Sequence, residues 1–271
     1  MTYHEVPNSI RITLIILTIL SFTPQLHTLY TTKSSTGISI GYILSHLLVA
    51  TEHLTKLTYM MINVPEAAAG QFIHDPINPG DWLNFLQTLT TWILFLTLFI
   101  TSLYLRPPSH NPRPYITTYT LILLISLLPE LIDPFLRFPH EGYQEAFVAT
   151  HTILLSPIAT FLAGFAVCLQ AGQSKIHGTD SALSMTGLAA QAVVFGLVAA
   201  SWPFRIAYRE AWDPLHLGAY FGHAWAGVDY GVLGVVQGVL VLWVGWRRWR
   251  GVDGDGVGDG VEEREALLGR A

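Results

Sequence analysis

The sequence predicts an all-α integral membrane protein with seven transmembrane helices, arranged as two three-helix repeats joined by a linker helix (3+1+3). Three observations predict it. Of 271 residues, 51% are hydrophobic and 12% charged, against roughly 25% charged in a soluble domain. Mean hydropathy is +0.42, so the chain lacks the polar residues to coat a water-facing surface. The apolar residues also fall in runs of about 20, the length a helix needs to cross about 30 Å of hydrocarbon. Lastly, the run pattern of the first half recurs 145 positions later.

Hydropathy gives segments at about 9–30, 38–60, 82–105, 115–136, 147–171, 182–204 and 217–246. The first has Glu5 ahead of it and no small-x-small cleavage site behind, so it reads as a retained helix rather than a signal peptide. The third, with TTWILFLTLFITSLYL, is the clearest span. In the fourth, Pro129 and Pro134 flank Glu130 and Asp133 in LLPELIDPF, which suggests a break in the helix there and a structural or interfacial role for the two acids. The seventh is rich in glycine, which membrane helices tolerate at close contacts. Turn-forming residues separate the runs at Thr31 to Gly37, Arg106 to Pro114, Pro139 to Gly142, Gly172 to Asp180 and Trp212 to Pro214. Residues 251–271 alternate Gly and Asp before turning charged, and cannot build a core.

The lone cysteine, Cys168, excludes an internal disulfide and reads as a small buried hydrophobe. A net charge of −5 with no basic patch beyond membrane-flanking clusters gives nucleic acid no footing as a partner. The bilayer is the partner that composition demands. Lys33, Arg106, Arg113, Lys175, Arg247, Arg248 and Arg250 share the side that holds the C-terminus, against Arg11, Arg137, Arg205 and Arg209 on the other. That bias predicts a cytosolic C-terminus.

The first helix contains Pro24-Gln25, followed by Lys33, the turn Ser34-Ser35-Thr36-Gly37, and Ile38-Ser39 opening the second helix. A proline inside a membrane helix removes a backbone hydrogen bond and makes a kink or hinge. Gln25 to Ser39 spans 14 positions, and so does Gln170 to Ser184 in the second half, through QAGQSKIHGTDSALS. Shifted by 145, the first three segments land on the fifth, sixth and seventh. The string resembles the PQ-loop motif. The second copy departs from it, with Leu169 in place of proline and the basic residue moved to Lys175, although Pro157 offers another kink. The resemblance covers the chain to about residue 250. It implies units at 9–105 and 147–246 joined by a linker helix at 115–136, with a solute site between them near the midplane. Members with this architecture include lysosomal cystine and cationic amino acid exporters, vacuolar amino acid transporters and SWEET sugar carriers. A sister branch, the receptor for ER-retained proteins, binds peptides.

Charges at membrane depth need a reason, because each costs about 2.5–3.5 kcal/mol on insertion scales. His46 and His53 lie seven apart on one face of the second helix, with Glu52 beside the latter. Glu52 and His53 are either solvated at the helix end or a proton-handling pair facing inward, since histidine exchanges protons near working pH. The offset sets Gln191 opposite His46, and Asn84 opposite Asp229. In SWEET-like members, asparagines on these two helices line the sugar pocket. The aspartate here suits a cationic or zwitterionic solute, or a coupled proton, which makes Asp229, with its neighbour Tyr230, the leading site. Asn84 and Gln87, near a helix end, could equally be wet. Trp92, Trp202, Trp225 and Trp243 read as interface anchors or packing rather than a cage. In the tail, Glu263, Leu267 and Leu268 fit an acidic dileucine signal that sorting adaptors read on the cytosolic side, sending the protein to a vacuole or lysosome.

Proton-coupled export of an amino acid or similar small polar solute is the function these features favour. A non-transporting receptor or trafficking factor on the same scaffold is the alternative. An intramembrane enzyme, such as a terpene cyclase using Glu52, Glu130 and Asp133, finds no spaced carboxylate or metal motif, and no cofactor is implied.

Overall fold

The computed structural model describes residues 5–63, 73–106, 111–136, 147, 149–177, 182–206 and 225–250. Among them every regular element is helical. The helices are α1 (Asn8–Thr32), α2 (Ile40–Thr58), α3 (Pro79–Tyr104), α4 (Arg113–Leu136), α5 (Ser156–His177), α6 (Met185–Ser201) and α7 (Trp225–Trp249). A π turn, Thr150–Leu155, leads into α5, just ahead of Pro157, whose ring lacks the N–H that a regular turn would use. A 3₁₀ turn, Trp202–Phe204, ends α6 at Pro203.

Among the described residues six stretches, in α1, α3, α4, α5 with its π turn, α6 with its 3₁₀ turn, and α7, are long and apolar enough to cross a membrane. The seven spans expected are thus six by composition. α2, which holds His46, Glu52, His53 and Lys56, falls short, and its place in the bundle explains how it can. Of its 19 residues all but Gly41 are buried, because α3, α4 and α5 pack around it. A helix enclosed by other helices meets no lipid and can carry polar side chains. Apolar side chains such as Ile16 and Ile19 of α1, Leu121 and Ile125 of α4, and Phe161 and Phe165 of α5 cover the outside instead.

α3 packs on both α1 and α2, and α7 packs on both α5 and α6. Between these groups α1 meets α6 and α2 meets α5, while α4 lies against α2. The shift of 145 that relates the sequence halves turns α1·α3 into α5·α7, α2·α3 into α6·α7, and α1·α6 into α5·α2.

Two local expectations are corrected. α4 runs unbroken through Pro129 and Pro134. Cys168 is exposed on α5 rather than buried, because it faces away from α2 and α7. α1 likewise continues through Pro24 and ends at Lys33, whose backbone is left-handed and whose N–H reaches Leu29 O.

Candidate functional site

At one end of the bundle the repeat motif makes a reciprocal clasp. Gln25 donates from Nε2 to Ala182 O at 2.9 Å, and its Oε1 accepts the Ser184 N–H at 2.7 Å. Gln170 donates to Gly37 O at 2.8 Å and accepts the Ser39 N–H at 2.9 Å. Ser39 and Ser184 in turn cap α2 and α6 with their hydroxyls. Gly37 has φ of 79°, a left-handed turn open to glycine at little cost. Lys33 extends its ammonium over the Tyr30 ring. Of Lys175 only the helical backbone is described.

The polar cluster lies toward the opposite end. His53 Nε2 is 2.8 Å from Asp229 Oδ2, with both side chains buried. The other oxygen of Asp229 accepts from the Thr160 hydroxyl. One residue back on α2, Glu52 accepts from Ser126 Oγ at 2.9 Å and from His151 Nδ1 at 2.7 Å. Lys56, within the field of both acids, is buried, with its ammonium 4.0 Å above the Trp225 ring and no hydrogen-bond partner among the described residues. Burial leaves little water to screen these charges, so a proton gained or lost has a large local effect.

Tyr230 lies beside this cluster, its ring 5.2 Å from that of His53 and its hydroxyl 3.2 Å from Thr91 Oγ1. The solvated-end reading of Glu52 and His53 does not hold, since both are buried. Trp202 and Trp225 are buried packing residues, Trp92 donates to the Tyr119 hydroxyl, and Trp243 is exposed.

Other predicted residues lie elsewhere. His46 is two turns along α2, about 10 Å by helical rise, its Nδ1 on Tyr42 O and its ring against Tyr42 and Phe95. Gln191 is buried on α6 but makes no hydrogen bond with His46, whose Nε2 has none among the described residues. Asn84 does not join Asp229; its Oδ1 accepts from Arg11 at 3.0 Å and its amide donates to Arg205 O at 3.1 Å. Gln87 bonds Thr18, so neither Asn84 nor Gln87 is wet. Glu263, Leu267 and Leu268 fall outside the described residues, as does the side chain of Asp133.

Sequence reasoning missed five buried or site-lining residues. Lys56 follows Glu52 by four positions on the same helix, a spacing that puts both on one face. His151 and Thr160 offered no motif. Arg11 and Arg205, taken as loop charges, are buried.

Apolar helices packed around a polar, buried α2 define an integral membrane protein in contact with the lipid bilayer. Residues 8–65, spanning α1 and α2, match the family model for the PQ loop repeat, so this part of the membrane protein carries a PQ-loop repeat. No curated protein matches it.

Proposed function

We propose that the chain is a proton-coupled carrier of a small polar solute, an amino acid or a molecule of similar size, working by alternating access. The supporting observation is the pair of contacts His53–Asp229 and Glu52–His151, each with one member on α2 and the other in the second half of the chain. A proton on either carboxylate cancels the charge that its histidine and Lys56 answer. The protonation state therefore biases how firmly the halves hold together, which is what coupling requires.

In this reading 9–105 and 147–246 are the two moving units, 115–136 links them, and Pro24 is a hinge. The reciprocal glutamine bonds and the paired packing relations support that division. With the clasp end cytosolic, as Lys33, Arg106, Arg113 and Arg247 favour, the polar cluster lies toward the lumen of a vacuolar or lysosomal compartment. The tail, carrying Glu263, Leu267 and Leu268, then faces the adaptors. An unchanged location after Leu267→Ala with Leu268→Ala would remove that address.

The test is uptake into proteoliposomes with an imposed pH gradient, offering pooled amino acids and sugars, with Asp229→Asn alongside. Gradient-dependent flux lost in the variant is expected. Flux that survives Asp229→Asn would sink the coupling role. No flux from folded protein would favour a receptor, a reading that Leu169 in place of a second motif proline already suits.

A further inference from the structure

Pro203 ends α6 in a 3₁₀ turn, and the next residue but one, Arg205, folds back with its N–H on Trp202 O at 2.9 Å. Its side chain is fully buried, at 0% exposure. Nε donates to Ser201 Oγ at 3.0 Å and the guanidinium lies 5.5 Å from the Trp202 ring centre. Nη1 and Nη2 have no hydrogen-bond partner among the described residues.

Two other buried cations, Arg11 and Lys56, are provided for. Arg11 donates to Val6 O, Gly80 O and Asn84 Oδ1, and Lys56 stands in the field of Glu52 and Asp229. Arg205 faces no carboxylate among the described residues; its charged neighbour is Arg11 itself, which approaches the Arg205 carbonyl at 3.5 Å. A buried charge without a counter-charge opposes folding, and a guanidinium presents a flat fork that matches a carboxylate. From Arg205 a row of packed, buried rings runs to the His53–Asp229 pair. The Trp202 and Tyr230 rings are 5.5 Å apart, and Tyr230 is 5.2 Å from His53, which holds Asp229.

We infer that Arg205 receives a carboxylate of the carried solute on Nη1 and Nη2, leaving the Asp229 end for the solute's cationic or polar group. This rests on the carrier reading and adds the chemical class of the solute. Solutes that keep their shape but lose the acid, such as carboxamides, are then poor ligands.

The test is binding, read as the thermal stability of the purified full-length chain titrated at constant ionic strength with acetate, acetamide, glycine and glycinamide. Acetate and glycine should stabilise saturably and the two amides should not. Arg205→Gln should weaken acetate by about tenfold to a hundredfold, as for hydrogen bonds to charged groups, while leaving the ligand-free melting temperature unchanged or higher. Arg205→Lys should recover part of the binding. A tighter fit for glycine than acetate, erased by Asp229→Asn, would mark an amino acid rather than a plain organic acid.

Equal effects of acid and amide overturn the inference. So does an Arg205→Gln variant that melts lower yet responds normally to acetate, since the guanidinium would then be answered within the chain. Binding through Arg205 with no gradient-driven flux would retire the carrier and leave the site. Coupled flux of uncharged solutes would do the reverse.

Discussion

Gln25 and Gln170 stand 145 positions apart, and each makes the same two hydrogen bonds to the loop backbone of the opposite half. Shifting one set by 145 reproduces the other atom for atom: Gly37 O becomes Ala182 O, and the Ser39 N–H becomes that of Ser184. The proline of the motif is present before only one of the glutamines, so the clasp depends on the amide and not on the proline. Replacing either glutamine with leucine strands a buried carbonyl and N–H, at about 1–3 kcal/mol each. Gln25→Leu and Gln170→Leu should therefore lower the melting temperature by similar amounts, of the order of 5 °C or more. A shift confined to one of them would show that the two halves are not equivalent.

Lys56 gives a second prediction. Its ammonium feels both Glu52 and Asp229 and rests on the Trp225 face rather than on a hydrogen bond. Lys56→Met keeps the apolar stem but leaves both acids without their buried cation, a loss of about 3 kcal/mol or more by analogy with broken buried pairs. Adding Glu52→Gln removes one of the uncompensated charges, so the double variant should regain part of the lost stability. Denaturation of the two single variants and the double closes the cycle. Strict additivity would mean that Lys56 and Glu52 do not act on one another.

Much of this was legible in the sequence, for definite reasons. Hydrophobic runs located all seven helices, because a bilayer leaves few alternatives to a helix of that length. Gln25 and Gln170 were legible through the repeat, since equivalent positions face equivalent surroundings. Asp229 stood out as a charge inside an apolar run. The rest needed three dimensions. Offset arithmetic pairs positions related by symmetry, not residues in contact, so Asn84 was matched to Asp229 although it bonds Arg11. Lys56, Arg11 and Arg205 lie near helix ends, where hydropathy cannot separate a solvated charge from one turned inward. His151 meets Glu52 only because a π turn ahead of Pro157 aims it there.

His74 carries the pH prediction. Its ring bridges Glu5 and Asp81 at 3.0 Å each, tying the chain ahead of α1 to the start of α3. Burial disfavours its charged form, but the hydrogen bonds and charges of Asp81 and Glu5 outweigh that, and its pKa is raised above 6.5. A histidine with a raised folded pKa adds stability in full below its ordinary value, and loses it as pH climbs through the folded one. His74→Gln should therefore melt lower than the parent below the ordinary value of 6.5, with the difference shrinking as pH climbs through the raised folded value. The effect is small, below about 1 kcal/mol, because Glu5 is solvent-exposed. A difference that grew with pH would contradict the charged bridge.

Gly80 and Arg11 make the last prediction, which separates crowding from charge. A Cβ added at Gly80 would stand 2.9 Å from Arg11 Nη1, and the guanidinium is pinned there by Gly80 O at 2.8 Å and Asn84 Oδ1 at 3.0 Å. An alanine elsewhere in a helix interior usually stabilises relative to glycine. Gly80→Ala should do the opposite, because Arg11 must move and surrender bonds to buried acceptors. Arg11→Lys should also destabilise, since an ammonium cannot span Val6 O, Gly80 O and Asn84 Oδ1 as the fork does. With the guanidinium gone, the added methyl keeps only its contact with Asn78 Oδ1 at 3.0 Å, so Gly80→Ala in the Arg11→Lys background should cost less than in the parent. Comparing the two melting-temperature shifts measures this coupling. Equal shifts in both backgrounds would mean that the glycine is required by the Asn78 cap and not by the arginine.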